Sequence, residues 1–168
     1  MITKKMIESL NEQINKEIYS GYLYLSMGAY AASIGLNGAA NWFSAQVGEE
    51  LIHAKKIYDY VNKQGARVML KAIDEPIKDF SSAKDLFEKT LEHEKKVTKL
   101  IANLVEFAKE QKDKEVESFL QWFVKEQVEE EESAAEILEK FNLAGEDKNE
   151  LLKIDNQLAA RVFAWPEN

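Results

Sequence analysis

Four stretches of this chain carry apolar side chains at alternating spacings of three and four residues, and each stretch breaks its own pattern with one glutamate. The first runs through Ile7, Leu10, Ile14, Glu17, Gly21, Tyr24 and Gly28, and the second through Phe43, Gln46, Glu50, His53, Ile57 and Tyr60. The third holds Phe87, Leu91, Glu94, Thr98, Ile101, Val105 and Ala108. The fourth holds Val116, Leu120, Phe123, Gln127, Glu130, Ala134, Ile137 and Phe141. This spacing marks a helix that turns one face to a core. Each stretch is longer than an average helix, and only seven Gly and two Pro are present to interrupt them. The expected class is all-α, a four-helix bundle over residues 6–142 within one domain spanning 1–168.

The connections predict the topology. The breaks at Gly35–Gly38 and Gln111–Asp113 are short, so each joins antiparallel neighbours. Between the second and third helices lies the long segment Ala66–Ser81, with Pro76 inside it. About 15 extended residues reach roughly 50 Å, and a helix of about 27 residues is about 40 Å long. The segment can therefore cross the bundle end to end, and Ser81 or Ser82 is placed to cap the third helix. Gly145 reads as a stop, followed by a short fifth helix over residues 148–162 with the stripe Leu151, Ile154, Leu158 and Val162. That stripe needs cover, either from another subunit or by folding back on its own bundle.

The glutamates are the anomaly. A carboxylate on a core face costs several kcal/mol unless it is paired. Four converging ones, Glu17, Glu50, Glu94 and Glu130, would also repel each other, and no seam Lys or Arg stands opposite them. Cations would solve both problems. His53 lies one turn after Glu50 on the same face, and Gln127 lies one turn before Glu130. There is no cysteine, which excludes thiolate and iron–sulfur sites. Oxygen donors with one imidazole suit iron or manganese better than structural zinc. Glu50, beside the seam histidine, is the natural residue to bridge two metals.

Other polar residues have blander readings. A lone histidine on an apolar face is more often a hydrogen-bonded core residue, but four seam carboxylates make His53 a ligand. Tyr24 reads as a partner of a ligand or as core, with a redox role as the second reading. His93 lies off the seam by about 100° and reads as solvated. The run Glu129–Glu132 has the look of a solvated face, and Trp42 and Trp122 of packing residues. The net charge of −8 disfavours nucleic acid and permits cation attraction. No apolar run predicts a signal peptide or a membrane span, so the default location is the cytoplasm.

The order Glu49-Glu50-Leu51-Ile52-His53 resembles the E-E-x-x-H signature of ferritins. The fourth helix offers Gln127-x-x-Glu130 where a symmetric di-iron bundle has Glu-x-x-His. That asymmetry is similar to the prokaryotic non-haem ferritins. So are Asn11-Glu12-Gln13 with Glu17 and Tyr19-Ser20, and Phe119-Leu120-Gln121-Trp122 leading into Glu126-Gln127. The resemblance implies a ferroxidase with one iron on Glu17, Glu50 and His53 and a second on Glu50, Glu94 and Glu130, with Gln127 beside it. It implies a third, weaker iron site from Glu49, Glu126, Glu129 and Glu130, whose plain alternative is a set of cavity-facing acids. It further implies dioxygen or hydrogen peroxide as oxidant and a homo-oligomeric shell of twenty-four subunits that stores ferric mineral. Ile52 stands where the haem-binding branch has methionine, so haem is not expected. A DNA-protecting mini-ferritin, a rubrerythrin-like peroxidase and a metal-free helical scaffold are the rivals. The intrachain acids, the absence of cysteine and the cost of four buried acids disfavour them in turn.

Overall fold

The computed structural model describes residues 2–164. Among these residues the chain forms α1 (Lys4–Ser33), α2 (Asn37–Lys63), α3 (Ala83–Glu110), α4 (Lys114–Ala144) and α5 (Lys148–Leu158), and no strand. α1 packs along α2 and α3 along α4, giving two hairpins. None of the described helices is long and apolar enough to cross a membrane.

Local chemistry sets most helix ends. Thr3 accepts a bond from the Met6 amide to begin α1. α1 stops where Gly35 adopts φ +81°, and the Leu36 amide turns back to the Ala31 carbonyl at 2.9 Å. At α3 the cap is Ser82, whose Oγ accepts from the Asp85 amide, while the Asp85 carboxylate accepts from the Ser81 amide. Asp113 caps α4 and Asp147 caps α5.

Residues 64–82 cross the length of the bundle along α1. Asn15 grips the backbone of Lys71 from both sides, at 2.9 and 3.0 Å. Further along, Ser26 Oγ donates to the Ile77 carbonyl at 2.7 Å, and Phe80 packs against Tyr30 with ring centroids 5.2 Å apart. The segment thus joins opposite ends of the bundle, as its length predicts.

The interior is two apolar clusters rather than one. Leu10, Ile14, Ile57, Val61, Ile101, Val116, Leu120 and Phe123 build the first. Met27, Trp42, Phe43, Leu86, Phe87, Ile137 and Phe141 build the second. Along α2, α3 and α4 the buried polar residues fall between the positions that feed these two clusters, as do Glu17 and Ser20 on α1.

α5 ends at Leu158, four residues before the expected 162, and Val162 is 86% exposed. Its partner is its own chain: Ile154 and Leu158 join the second cluster. The reason is visible at the start of α2. Leu36 offers no side-chain cap, and the buried Asp155 accepts the Gly38 and Ala39 amides at 3.0 and 2.8 Å instead. A carboxylate at a helix N-terminus also meets the positive end of the helix dipole. Asn41 adds bonds to the carbonyls of Leu158, Ala159 and Arg161.

A Cβ on Gly38 would stand 1.7 Å from the Asp155 carbonyl oxygen, a backbone atom. Gly38→Ala is therefore expected to push α5 off α2. The cost should be about 1–3 kcal/mol in thermal unfolding, with faster amide exchange confined to α5 and the start of α2.

Candidate metal centre

Each bundle helix delivers one glutamate to the level between the two clusters. Glu17 is 1% exposed, Glu50 2%, Glu94 1% and Glu130 8%. The helical repeat puts them there. Glu17 lies between Ile14 and Gly21, and Glu130 between Gln127 and Ala134, on faces that are otherwise core.

Three ligand atoms converge. One from each of Glu17, Glu50 and His53 lie within 4.8 Å of one another. His53 Nδ1 is 3.5 Å from Glu50 Oε2, the two residues being one turn apart on α2. Trp122 and Phe123 pack edge-on to the imidazole, with centroids at 5.4 and 6.2 Å. Glu17 Oε2 and Glu50 Oε2 are buried without a hydrogen-bond donor. Two acceptor oxygens beside an imidazole, without a hydrogen bond from any described residue, fit a cation.

Glu94 and Glu130 face this trio from the other hairpin. Glu94 accepts from the Tyr24 hydroxyl and from Gln127 Nε2 at 3.1 Å. Glu130 accepts from Gln46 Nε2 at 2.9 Å, and Glu17 from Gln13 Nε2 at 2.7 Å. Each of these donors is neutral. They orient a carboxylate without cancelling its charge, which leaves the net negative charge for an incoming cation.

The electrostatics record that imbalance. Burial first, then the neighbouring Glu94, Glu17 and Glu130, pushes the Glu50 carboxyl well above its ordinary range. Burial raises Glu17 as well. Glu94 rises to about 7, mainly through burial. Glu130 also rises to about 7, through burial and then the Glu94 charge. Burial, followed by the charge on Glu94, lifts Tyr24 well above 10. In that state Tyr24 is a proton donor to Glu94 rather than an anion.

The sequence-predicted residues divide into two groups. Glu17, Glu50, His53, Glu94, Gln127, Glu130 and Tyr24 come together in the interior. Glu49, Glu126 and Glu129 lie further out: Glu129 is exposed, while Glu49 and Glu126 are half-buried. Burial, and the charges of Glu129 and Glu49, raise Glu126, with His53 opposing. Glu49 is engaged by Arg161 at 2.5 Å. His93 is not solvated as expected. Its Nε2 is 2.8 Å from Ser20 Oγ, and its ring meets Tyr24 edge-on at 5.8 Å. Burial lowers its pKa to about 4. The 100° offset from the seam turns His93 into the α1–α3 groove rather than to water. Gln13 and Gln46 carry support roles that their spacing alone did not distinguish from those of other core-face polar residues. Arg161 left no sequence signal at all.

A carboxyl with a raised folded-state pKa stabilises the fold fully below its unfolded value, near 4.5, and loses that contribution as pH rises through about 7. Glu130→Gln removes the cost of ionisation, and the new amide can donate to Gln46 Oε1, which otherwise has no partner. In chelator-treated protein at about pH 8 the variant should be more stable than the parent by up to about 3 kcal/mol. Thermal unfolding should show the two converging below about pH 4.5.

Comparison with known proteins accords with this geometry. A family profile for the ferritin-like domain matches residues 7–144. A bacterial non-heme ferritin of Staphylococcus aureus is 39% identical over 163 residues, covering 97% of this chain and 98% of the relative. A probable bacterial non-heme ferritin-like protein of Haemophilus influenzae is 40% identical over 158 residues, covering 94% and 96%. The solved open pore ferritin of the hyperthermophilic archaeon Archaeoglobus fulgidus superposes with a TM-score of 0.96 at 52% identity, covering 96% of this chain and all of that one. The profile spans most of the bundle and the relatives align nearly end to end, so this chain belongs to the ferritin family.

Proposed function

We propose that the chain takes up Fe(II), oxidises it at a paired-metal site inside the subunit, and stores the ferric product within a shell of identical subunits. The observation that carries this reading is the convergence of Glu17, Glu50 and His53, with two donor-free buried oxygens, opposite Glu94 and Glu130. In this reading one Fe(II) sits on Glu17, Glu50 and His53, and a second on Glu50, Glu94 and Glu130 with Gln127 beside it. Glu50 is shared.

Iron is the substrate. Each of two Fe(II) ions gives up one electron, and dioxygen takes both electrons with two protons to leave hydrogen peroxide. Peroxide can serve as oxidant in its turn. The hard carboxylate set favours the Fe(III) product. Tyr24 and Gln127 hold Glu94 in place, and Gln46 holds Glu130, so the ligands are oriented before metal arrives. Glu49, Glu126 and Glu129 offer a weaker stop on the way out of the site. Haem has no part in this scheme.

Assembly is supported by the outer face of the α1–α2 hairpin. Leu51, Tyr58, Met69 and Leu70 are each at least 39% exposed. Leu51, Tyr58 and Leu70 border one apolar groove with Ile14 and Ile18. Such a patch calls for a partner surface. A twenty-four-subunit shell supplies it with further copies of the same chain.

Stoichiometric Fe(II) added to the metal-free protein in air should be oxidised rapidly, by a particle that light scattering sizes as many subunits. Slow, buffer-like oxidation by a small oligomer would overturn the proposal. Glu50→Ala should keep the helical fold and slow the initial oxidation by at least about 10–100-fold, since it removes a ligand outright rather than one of its supports.

A further inference from the structure

The interior site is divided between the two hairpins. Glu17, Glu50 and His53 stand on α1 and α2, while Glu94 and Glu130 stand on α3 and α4. A metal pair that shares Glu50 therefore depends on the spacing and register of the hairpins at this level. Apolar packing is non-directional, so it fixes that register less sharply than a hydrogen bond does.

Two polar contacts join α1 to α3 beside the site. Tyr24 donates to Glu94, and Ser20 Oγ lies 2.8 Å from His93 Nε2. Among the described residues, α1 and α3 share one further polar contact, from Thr90 Oγ1 to Met27 Sδ at 3.5 Å, and a thioether is a weak acceptor. Both ends of the Ser20–His93 pair are tied to ligands. Ser20 is buried one turn after Glu17 and one turn before Tyr24, and His93 immediately precedes Glu94. Ser20 Oγ donates to the Lys16 carbonyl at 3.2 Å and can accept from an Nε2–H of the imidazole, so one tautomer satisfies both groups.

The His93 ring adds a second hold on Tyr24. It meets the phenol edge-on, with centroids 5.8 Å apart and planes at 89°, while Tyr24 also stacks on Phe43 at 6.0 Å. Consecutive residues of α3 thus clasp one tyrosine of α1: Glu94 takes the hydroxyl, and His93 touches the ring. Burial keeps the imidazole neutral, so it joins the hairpins without placing a positive charge beside the carboxylates.

We propose that the Ser20–His93 bond is a strut between the hairpins that sets the spacing of the two halves of the metal site, which makes His93 a positioning residue for the second metal ion. The inference rests on the paired-metal reading above. The first ion, held by one hairpin, does not need the strut. The second ion, held jointly by Glu50 and by Glu94 and Glu130, does.

Mn(II) titration of the intact, metal-free assembly tests this by electron paramagnetic resonance, which separates single ions from an exchange-coupled pair. Wild type should show the coupled pair at two ions per subunit. His93→Phe keeps an aromatic ring against Tyr24 but loses the bond. It should leave the first ion's affinity unchanged, weaken the second by about tenfold, the usual effect of losing a support to a ligand, and diminish the coupled signal. His93→Gln, whose amide can reach Ser20, should restore both. A packing role alone predicts the reverse order, with the Phe variant near wild type and the Gln variant impaired, and that result would overturn the strut. Ser20→Ala should match His93→Phe, and the double variant should bind the second ion no more weakly than either. Additive losses, or a second ion held equally by wild type, His93→Phe and Ser20→Ala, would also overturn it. Absence of a coupled pair in wild type would overturn the paired-metal reading itself, and the wild-type titration shows this before any variant is made.

Discussion

Burying four carboxylates at one level of an apolar bundle is the constraint on which the rest of this structure depends. Each pays desolvation, and together they repel, which is why Glu50, Glu94 and Glu130 all hold protons more tightly than an ordinary glutamate. The protein does not relieve this with lysine or arginine in the interior. It supplies Gln13, Gln46, Gln127 and the Tyr24 hydroxyl, which hold the oxygens in position while leaving the charge in place. A site so arranged is costly when empty and gains most from a multivalent cation, the property expected of a centre that must attract metal and fix its geometry in advance.

The cost is carried by the apolar clusters on either side. The stacked rings of Phe43, Phe87 and Phe141 on one side and the Ile–Leu–Val packing on the other are continuous within themselves. The polar level is thus bounded above and below by close-packed core, and its members sit on rigid helices rather than on loops. α2 contributes both Glu50 and His53, and its start is fixed from a distance by Asp155 of α5. The terminal helix, far along the chain, thereby helps to set the register of the helix that carries two of the converging trio.

Glu49 and Glu50 show how sharply one helical step divides roles. They are adjacent in sequence and about 100° apart around α2. Glu50 enters the interior beside His53, where no lysine or arginine among the described residues pairs with it. Glu49 emerges beside the segment after α5 and meets Arg161. The same divergence separates Glu94 from His93: one turns to the centre, while the other fills the groove against Ser20 and Tyr24.

The sequence by itself determined the helices, their order, the end-to-end crossover and the four core glutamates. Each of these follows from local rules: periodicity picks the face, glycines and caps pick the ends, and a charge on an apolar face declares itself as an exception. The family resemblance was equally legible, because Glu49-Glu50-x-x-His53 and Gln127-x-x-Glu130 are patterns within single helices. Only the tertiary structure decided which surface covers α5, that Asp155 caps α2, that His93 is enclosed, and that Arg161 reaches Glu49. These are contacts between residues 73 to 117 positions apart. No periodicity or spacing encodes such pairs. They arise when the helices pack and a side chain finds, in the neighbour's groove, the partner that its own helix could not provide.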